Sequence, residues 1–259
     1  MSHPRDFADR PGGALVVGGS GGLGSAIALM LAQRGSDVAV TFHRNERAAG
    51  EILAAMGAEH VRTASWQVDL TDADRCALVV EQVGEGFGGL HTLVYAAGPH
   101  VPMRHLSQVS PGEMEAQLTC DAAGFFNVVH PALPLLRQAA GSIVAVTTAA
   151  TRRFPVRDGL SAGPKGAVEA LARGLAAEEG RFGVRVNCVG PGMLTEGMAE
   201  RLIAGGELDQ AALDVARANI ALRRFGTATD VAEAVCFLAS ERAAFVSGQK
   251  LDVDGGYGV

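Results

Sequence analysis

Short apolar runs alternate along the chain with longer stretches in which apolar and polar residues mix. The short runs are rich in valine, lack internal proline and carry few charges, a pattern typical of strands buried on both faces of a parallel sheet. We predict seven strands: Ala14–Val17, Val38–Phe42, Val61–Val68, Thr92–Ala96, Ser142–Thr147, Val184–Val189 and Lys250–Val253.

The stretches between the strands have helical periodicity. We predict helices over Leu23–Arg34, Glu46–Met56, Ala73–Phe87, Gly112–Gln138, Ala162–Phe182 and Thr229–Ser240. Strict alternation of strand and helix builds right-handed βαβ units, so the expected fold is α/β, a Rossmann-type doubly wound parallel sheet of about seven strands with helices on both faces. Residues 193–227 interrupt the alternation as a helical insert, which we expect on the substrate side as a lid.

Length and charge exclude several classes of protein. The 259 residues contain no linker, so we expect a single domain over residues 1–259. The net charge of −6 without a basic stripe argues against a nucleic-acid partner. No apolar run is long enough to span a membrane, and no signal peptide precedes the first strand. Four widely spaced cysteines predict thiols in a cytoplasmic protein, without disulfides or a metal site.

A glycine-rich loop joins the first predicted strand to the first helix. Glycines let the backbone approach a pyrophosphate, and the helix N-terminus offers free N–H groups and a positive dipole end. A plain tight turn is the alternative, but the position between strand and helix favours a dinucleotide site. The predicted contacts are Gly18, Ser20, Gly21, Gly22, Leu23 and Gly24.

The end of the second predicted strand decides between NAD and NADP. An NAD site usually carries Asp or Glu there to hold the ribose hydroxyls. Here the strand ends without an acid and is followed by His43 and Arg44. Both can bind a 2′-phosphate through charge-assisted hydrogen bonds, although a solvated cation at a helix start is the alternative for Arg44. We therefore predict NADP(H) in preference to NAD(H).

Further motifs follow the glycine loop in order. They are Asp69-Leu70, Ala97-Gly98, Asn187-Cys-Val-Gly-Pro191-Gly192-Met-Leu194-Thr195 and Asp254-Gly-Gly256. With Gly18, Gly22 and Gly24 they make the chain resemble the single-domain branch of the short-chain dehydrogenase/reductase superfamily, from Ala14 to Gly256.

The resemblance implies roles for these segments. Asp69, with Leu70, would hold the adenine, and Ala97 and Gly98 would border the adenosine ribose. Leu194 and Thr195 would lie near the nicotinamide carboxamide, with Pro191 and Gly192 in the same cofactor-binding segment. The resemblance also implies a homotetramer and a small-molecule substrate.

The family's catalytic set is an Asn, a Ser and a Tyr-x-x-x-Lys pair whose spacing puts Tyr and Lys on one helix face. Here the lysine is Lys165, but the tyrosine position is Ser161. Thr148 stands for the Ser and Asp121 for the Asn. These four are the candidate catalytic residues, and Lys165 is also expected to bind the nicotinamide ribose. Pro164 suits only a first turn, so we expect Ser161 near the helix start.

The altered positions leave the activity open. The Ser-x-x-x-Lys pair is shared with the 2,4-dienoyl-CoA reductases, but their Tyr after the fifth strand is Ala150 here. We expect an NADP(H)-dependent reductase of a carbonyl or conjugated enoyl group, with acyl thioesters as the leading substrates. The alternatives are a 3-oxoacyl reductase-like ketoreductase with a substitute proton donor, and a cofactor-binding protein with weak or no redox activity.

Two features near these positions have two interpretations each. Asp121 could serve as acid, base or water anchor, or it could simply pair with Lys165 or a backbone N–H. Arg152, Arg153 and Arg157 could receive an anionic group, or pair with Asp158 and nearby acids in a solvated loop.

Overall fold

Seven strands form one parallel sheet, as predicted. A computed structural model describes residues 5–99, 101–195 and 210–259. The strands are β1 (Gly13–Val17), β2 (Asp37–Phe42), β3 (Thr63–Gln67), β4 (Leu90–Tyr95), β5 (Ser142–Val146), β6 (Arg185–Pro191) and β7 (Lys250–Val253). Their order in the sheet is β3-β2-β1-β4-β5-β6-β7. The Rossmann-type α/β fold is therefore confirmed.

Helices cover both faces of the sheet. They are α1 (Gly22–Gln33), α2 (Glu46–Gly57), α3 (Ala73–Phe87), α4 (Pro111–Leu118), α5 (Gly124–Gln138), α6 (Gly159–Glu179), α7 (Gln210–Ala218) and α8 (Ala228–Ala239). Helices α3, α5 and α6 share one apolar core with the sheet, and α1, α2 and α8 share the other. Alternate strand residues face opposite cores, as Leu15 and Val16 of β1 do.

Local sequence sets where several helices begin. The Asp72 carboxylate accepts a hydrogen bond from the backbone N–H of Arg75 at the start of α3. Ser110 and Glu113 form a reciprocal capping box at α4, and Thr227 and Asp230 form another at α8. These side chains satisfy backbone donors that a helix start leaves without partners.

The long helix predicted over Gly112–Gln138 is two helices joined by a wider turn. A π-helical turn over residues 119–123 separates α4 from α5. Such turns are rare, and they occur often at functional sites. Sequence periodicity could not show it, because the chain remains helical across the junction.

Helix α6 begins earlier than predicted, at Gly159 instead of Ala162. The Asp158 carbonyl accepts hydrogen bonds from the backbone N–H groups of Ser161 (3.1 Å) and Ala162 (2.9 Å). Ser161 is thus near the helix start, as expected, but Pro164 lies inside the helix and not in its first turn. The Leu160 carbonyl loses its helical partner there, because proline has no N–H.

The insert predicted over residues 193–227 falls partly outside the described residues, at 196–209. In its described part, Leu194 forms an isolated parallel bridge with Gly226. Helix α7 and the loop to Thr227 complete it.

The amino end of the sheet carries a buried polar chain. His91 Nε2 lies 3.3 Å from Ser36 Oγ, and His91 Nδ1 lies 2.9 Å from Thr92 Oγ1. Thr92 in turn contacts Ser142, which donates to the Ala239 carbonyl. Burial lowers the pKa of His91 to about 3.

The carboxyl end of the sheet is where a ligand is expected. Strand order reverses between β1 and β4, and doubly wound sheets bind ligands at the carboxyl ends of such neighbouring strands. All the cofactor-binding segments predicted from the sequence follow strands at this edge or begin the next helix.

Candidate active site

The glycine loop is shaped by close backbone approaches. Gly18 has φ of +79°, and a Cβ there would lie 2.8 Å from Cα of Ala97. A Cβ on Gly24 would lie 2.2 Å from the Gly18 carbonyl oxygen, so only glycine fits. The backbone N–H of Gly18 donates to Thr41 Oγ1 at 3.0 Å, which ties the loop to β2.

Helix α1 starts at this loop with free donors. Gly21 is its N-cap residue and supplies no side-chain cap. The first N–H groups of the helix therefore remain available, and they point with the positive end of the helix dipole toward the edge of the sheet. This cradle fits a pyrophosphate.

Three exposed polar residues follow β2 and β3. His43 Nε2 lies 3.8 Å from Asp69 Oδ2. The other oxygen of Asp69 accepts from the backbone N–H and the hydroxyl of Thr71, and these hydrogen bonds lower the pKa of Asp69. Arg44 is exposed beside them. Behind Asp69, the Leu70 carbonyl accepts from the Asn127 amide at 2.8 Å, which fixes the loop against α5.

Lys165 is held at the centre of the site by two acceptors. Its Nζ donates to Asp121 Oδ1 at 2.9 Å and to the Ala97 carbonyl at 3.1 Å. The side chains of Lys165 and Asp121 are only 12% and 5% exposed. A Cβ on Gly98 would lie 3.5 Å from the same Nζ. The structure thus brings together Asp121, Lys165, Ala97 and Gly98.

The π-helical turn positions Asp121, and Tyr95 braces that turn. The Tyr95 hydroxyl donates to the backbone carbonyls of Asp121 (3.1 Å) and Cys120 (3.3 Å). Its ring is fully buried and packs edge-on against Phe125. Burial, with the nearby Asp121 carboxylate, raises the pKa of Tyr95 well above its usual value. This tyrosine is a protonated structural donor and has no access to substrate.

The two other predicted catalytic residues carry hydroxyl groups, Thr148 after β5 and Ser161 in the first turn of α6. Thr148, directly after β5, accepts from the backbone N–H of Ala150 at 3.1 Å, so its own hydroxyl hydrogen remains available. The hydroxyl of half-buried Ser161 makes no hydrogen bond to a described residue, and neither Thr148 nor Lys165 contacts it.

A buried ionic cluster supports the loop that carries Thr148. The Thr151 hydroxyl contacts both oxygens of Glu169, at 2.8 and 3.0 Å. Lys250 Nζ lies 3.1 Å from Glu169 and 3.1 Å from Asp252. The sequence interpretation missed this cluster, because its members are far apart along the chain.

The loop arginines do not pair with Asp158, contrary to one interpretation of the sequence. Arg152 lies 3.9 Å from Asp252, and Arg153 donates to the Tyr257 carbonyl and stacks on its ring. Arg157 has a left-handed backbone with φ of +76° and donates twice to the Met103 carbonyl. Its side chain is thereby directed to the loop after β4.

Asp158 was not recognised as a site residue from the sequence. It is the residue before α6, but its side chain makes no capping hydrogen bond. Burial raises the pKa of Asp158 to about 6. The one available indication was its spacing of three residues from Ser161, which becomes meaningful only once the helix start is known.

The segment expected near the nicotinamide is fixed by backbone pairing. Pro191 ends β6, and the Gly192 N–H donates to the Val253 carbonyl at 3.0 Å. Leu194 is buried, and the Thr195 N–H donates to the Gly226 carbonyl at 3.0 Å. Thr195 is exposed at the rim.

The described residues contain neither a membrane-spanning helix nor a cluster of metal ligands. No helix there is long and apolar enough to cross a bilayer. No group of three or more His, Cys, Asp or Glu side chains in the described part could hold a metal ion.

Comparison with known proteins agrees with this geometry. A family model described as Enoyl-(Acyl carrier protein) reductase matches residues 17–258. The 3-oxoacyl-[acyl-carrier-protein] reductase FabG of Staphylococcus aureus (strain Mu50) is 32% identical over 247 residues, which cover 94% of this chain and 96% of that protein. Versicolorin reductase stcU of Emericella nidulans is 32% identical over 249 residues, covering 94% of each chain.

Solved structures show the same fold with a bound nicotinamide cofactor. A short chain dehydrogenase from Burkholderia cenocepacia in complex with NADP has a TM-score of 0.89 and 31% identity, covering 97% of this chain and 100% of that one. A blue fluorescent protein from a metagenomic library, in complex with NADPH, has a TM-score of 0.87 and 27% identity over 98% of this chain and 100% of that one. Fold, motifs and relatives agree, and the chain belongs to the short-chain dehydrogenase/reductase superfamily of oxidoreductases.

Proposed function

We propose that this oxidoreductase uses NADP(H) to reduce a carbonyl or conjugated enoyl group, on a substrate of the acyl-thioester class. The observation that carries the proposal is the position of Lys165. Its ammonium group is fixed beside the glycine loop by Ala97 and Asp121. The hydroxyl hydrogens of Thr148 and Ser161 are not donated to any described residue.

The residues present fit a dinucleotide. The glycine cradle, which a Cβ on Gly24 would fill, suits the pyrophosphate. Asp69 and Leu70 would hold the adenine, Ala97 and Gly98 would border its ribose, and Lys165 would bind the nicotinamide ribose. Pro191, Gly192, Leu194 and Thr195 would border the nicotinamide. When bound, the cofactor supplies the hydride.

Arg44 and His43 favour the phosphorylated cofactor. Both are exposed after β2, in a loop without a carboxylate of its own to hold ribose hydroxyls. A 2′-phosphate placed between them would accept charge-assisted hydrogen bonds from a guanidinium group. The neighbours crystallised with NADP and NADPH support the same choice.

The chain's own residues would polarise the substrate oxygen. Thr148 can donate its free hydroxyl hydrogen to an oxygen on which negative charge develops. Ser161 offers a second donor from α6. Lys165, held by its hydrogen bond to Asp121, would orient the ribose.

The rim around this site suits an acyl chain. Three apolar side chains are exposed on the loops after β4 and β5: Leu106 (55%), Phe154 (63%) and Val156 (71%). Exposed apolar groups beside a polar site are typical of ligand grooves. Acyl-carrier-protein reductases among the relatives support the thioester class.

We also propose a cytoplasmic homotetramer that packs through α5 and α6. The outward face of α6 carries small and apolar residues, Ala170, Leu171 and Gly174, and α5 exposes Phe126. Ala162, on the same helix, is buried inside its own chain and does not belong to this face. The four cysteines are free thiols, which suits a reducing compartment.

One observation favours a second candidate function. Asp121 neutralises Lys165, and Ser161 is a far weaker acid than a phenol, so the scaffold could bind cofactor without turning over substrate. A ketoreductase of the 3-oxoacyl type with a substitute proton donor lies between the two.

The test separates binding from turnover. NADPH binding is measured by fluorescence, and NADPH oxidation is then followed with enoyl-CoA, 3-oxoacyl-CoA and simple ketone substrates. We expect binding and turnover of at least one thioester, with turnover lost in Lys165→Ala and reduced in Thr148→Ala and Ser161→Ala. Binding without turnover of any substrate in the panel would establish the second function.

A further inference from the structure

Among the residues that the structure describes, none forms a hydrogen bond or ion pair with the carboxyl group of Asp158. Its carbonyl starts α6, but its side chain neither caps the helix nor bonds to another described residue. The group is half-buried, and burial alone raises its pKa to about 6. Such a carboxyl group exchanges protons close to neutral pH.

Asp158 lies on the helix face that carries the candidate catalytic residues. Asp158, Ser161 and Lys165 are spaced i, i+3 and i+7, which places them along one side of α6. Neighbours at i and i+3 have Cβ atoms about 5–6 Å apart. A carboxyl group and a hydroxyl at that spacing can share a proton directly or through one water.

The loop after β4 covers this helix start. A Cβ on Gly159 would lie 2.7 Å from Cδ1 of Leu106, so Leu106 packs directly on the first residue of α6. Arg157 ties the same loop down through the Met103 carbonyl, at 2.8 and 3.1 Å. Asp158, which lies between Arg157 and Gly159 in the chain, is half-buried next to these two contacts.

Charged groups on the surrounding elements are engaged elsewhere. Arg157 binds Met103, and on α4 Glu113 pairs with Arg104 and Ser110. In the π-helical turn Asp121 pairs with Lys165, and further along α6 Glu169 binds Thr151 and Lys250. His105 and Glu115 are exposed. Among the described residues of this cleft, Asp158 is thus the carboxyl group free to supply a proton.

We propose that Asp158 is the proton source for the substrate oxygen and acts through the Ser161 hydroxyl, as a relay that replaces a phenol. The inference rests on the proposed reductase function. As the carbonyl carbon accepts the hydride, its π pair moves to oxygen and the Ser161 O–H bond breaks to protonate that oxygen. The Asp158 O–H bond breaks to restore the serine, and the carboxylate then binds a proton (H⁺) from the bulk solution, which is the one proton that the reduction consumes.

The pH profile of kcat/KM tests the relay in the cofactor-saturated enzyme. Wild type should lose activity above about pH 6, approaching tenfold for each pH unit, because the required acid is ionised there. Asp158→Asn should lower kcat/KM by about 10²- to 10⁴-fold and abolish this descending limb. Asp158→Glu should restore the limb. Glu115→Gln, an exposed carboxylate on α4, is the matched control and should behave as wild type.

A double-mutant cycle and a binding-free readout separate the relay from a structural role. If Asp158 acts through Ser161, Asp158→Asn should cost little further activity in a Ser161→Ala background. Without cofactor, the stability of wild type relative to Asp158→Asn should fall as pH rises from about 4 through about 6, since a raised folded-state pKa favours the protonated native protein.

The outcomes distinguish the two claims. Turnover with the same descending limb in Asp158→Asn overturns the relay and leaves the reductase function intact. Additive effects of the two substitutions overturn it as well. Absence of turnover by wild type on the whole thioester and ketone panel overturns the reductase function and the relay together.

Discussion

Lys165 and Asp121 lie 44 positions apart and form an ion pair with Nζ and Oδ1 separated by 2.9 Å. The family pattern has a tyrosine near this lysine and a neutral asparagine in place of Asp121. In this chain the negatively charged partner of Lys165 is the Asp121 carboxylate. The position of the tyrosine, whose phenol can ionise, holds the neutral Ser161. The two substitutions compensate each other in charge.

Reversing only one of these substitutions should therefore fail. In Ser161→Tyr the Asp121 carboxylate remains paired with the Lys165 ammonium group. Its negative charge disfavours ionisation of the new phenol. We expect less than about a tenfold gain in ketone reduction from Ser161→Tyr, and about 10²-fold or more from Ser161→Tyr with Asp121→Asn. kcat/KM for NADPH-dependent reduction of a small ketone measures both, with Asp121→Asn alone as control. Equal activity of the single and double variants would refute the charge argument.

Tyr95 should contribute to stability through its hydroxyl group. Tyr95→Phe leaves the carbonyls of Cys120 and Asp121 buried without this donor, which we expect to lower the free energy of unfolding by about 1–3 kcal/mol. Urea denaturation measures the change. The other tyrosine, Tyr257, provides the control: Tyr257→Phe should change stability by less than about 0.5 kcal/mol. Similar losses in both variants would contradict a special role for the π-helical turn.

Arg44 should determine the cofactor. Arg44→Ala removes a charge-assisted hydrogen bond worth about 1.5–3 kcal/mol, so NADPH affinity should fall about 10- to 100-fold while NADH affinity stays unchanged. Fluorescence titration of the two cofactors gives both values. Arg47→Ala, on the exposed face of α2 and paired with Glu51, is the matched control. An unchanged preference would remove Arg44 from the cofactor site.

Two glycine substitutions should have opposite effects. Gly24→Ala places a methyl group 2.2 Å from the Gly18 carbonyl oxygen, and the loop must shift to admit it. We expect loss of NADPH binding and a lower melting temperature. Gly50→Ala meets nothing within 4 Å in α2 and should raise stability by about 0.5–1 kcal/mol. Wild-type NADPH affinity in Gly24→Ala would show that the cradle tolerates a side chain.

His91 should make the protein acid-sensitive. Its folded-state pKa is lowered from 6.5 to about 3 by burial, so stability is complete above the unfolded-state value and is lost as pH falls from about 6.5 toward 3. The loss approaches about 5 kcal/mol over that window. Denaturation at several pH values should show a smaller loss in His91→Gln than in wild type. His130→Gln, at an exposed position, should retain the full loss; a slope unchanged in His91→Gln would contradict this assignment.

Most of the fold could be predicted because its signals are local. Each strand is an apolar run between turn residues, and the predicted strand bounds lie within two residues of those observed. The glycine loop needed only its position between β1 and α1. Helix starts were harder to predict. Helix α6 begins at Gly159 because Asp158 supplies the first carbonyl, although the Asp158 side chain makes no capping hydrogen bond.

The candidate site was less accessible, because its partnerships are long-range. The positions of Asp121 and Lys165 came from motif spacing, but their ion pair depends on a π-helical turn that leaves the helical periodicity unbroken. The unpaired state of Asp158 could not be predicted either. The adjacent Arg157 instead donates to the Met103 carbonyl from a left-handed backbone, which arginine seldom adopts.

The π-helical turn over residues 119–123 also sets the position of α5 relative to both the apolar core and the candidate site. One extra residue per turn advances all of α5 relative to the sheet, and in that position Phe125 meets the Tyr95 ring while Asn127 reaches the Leu70 carbonyl. Deleting a single residue here would rotate all these contacts out of place at once. Insertions and deletions should therefore be excluded from this stretch during evolution of the chain, even though it lies outside the strands and the glycine loop.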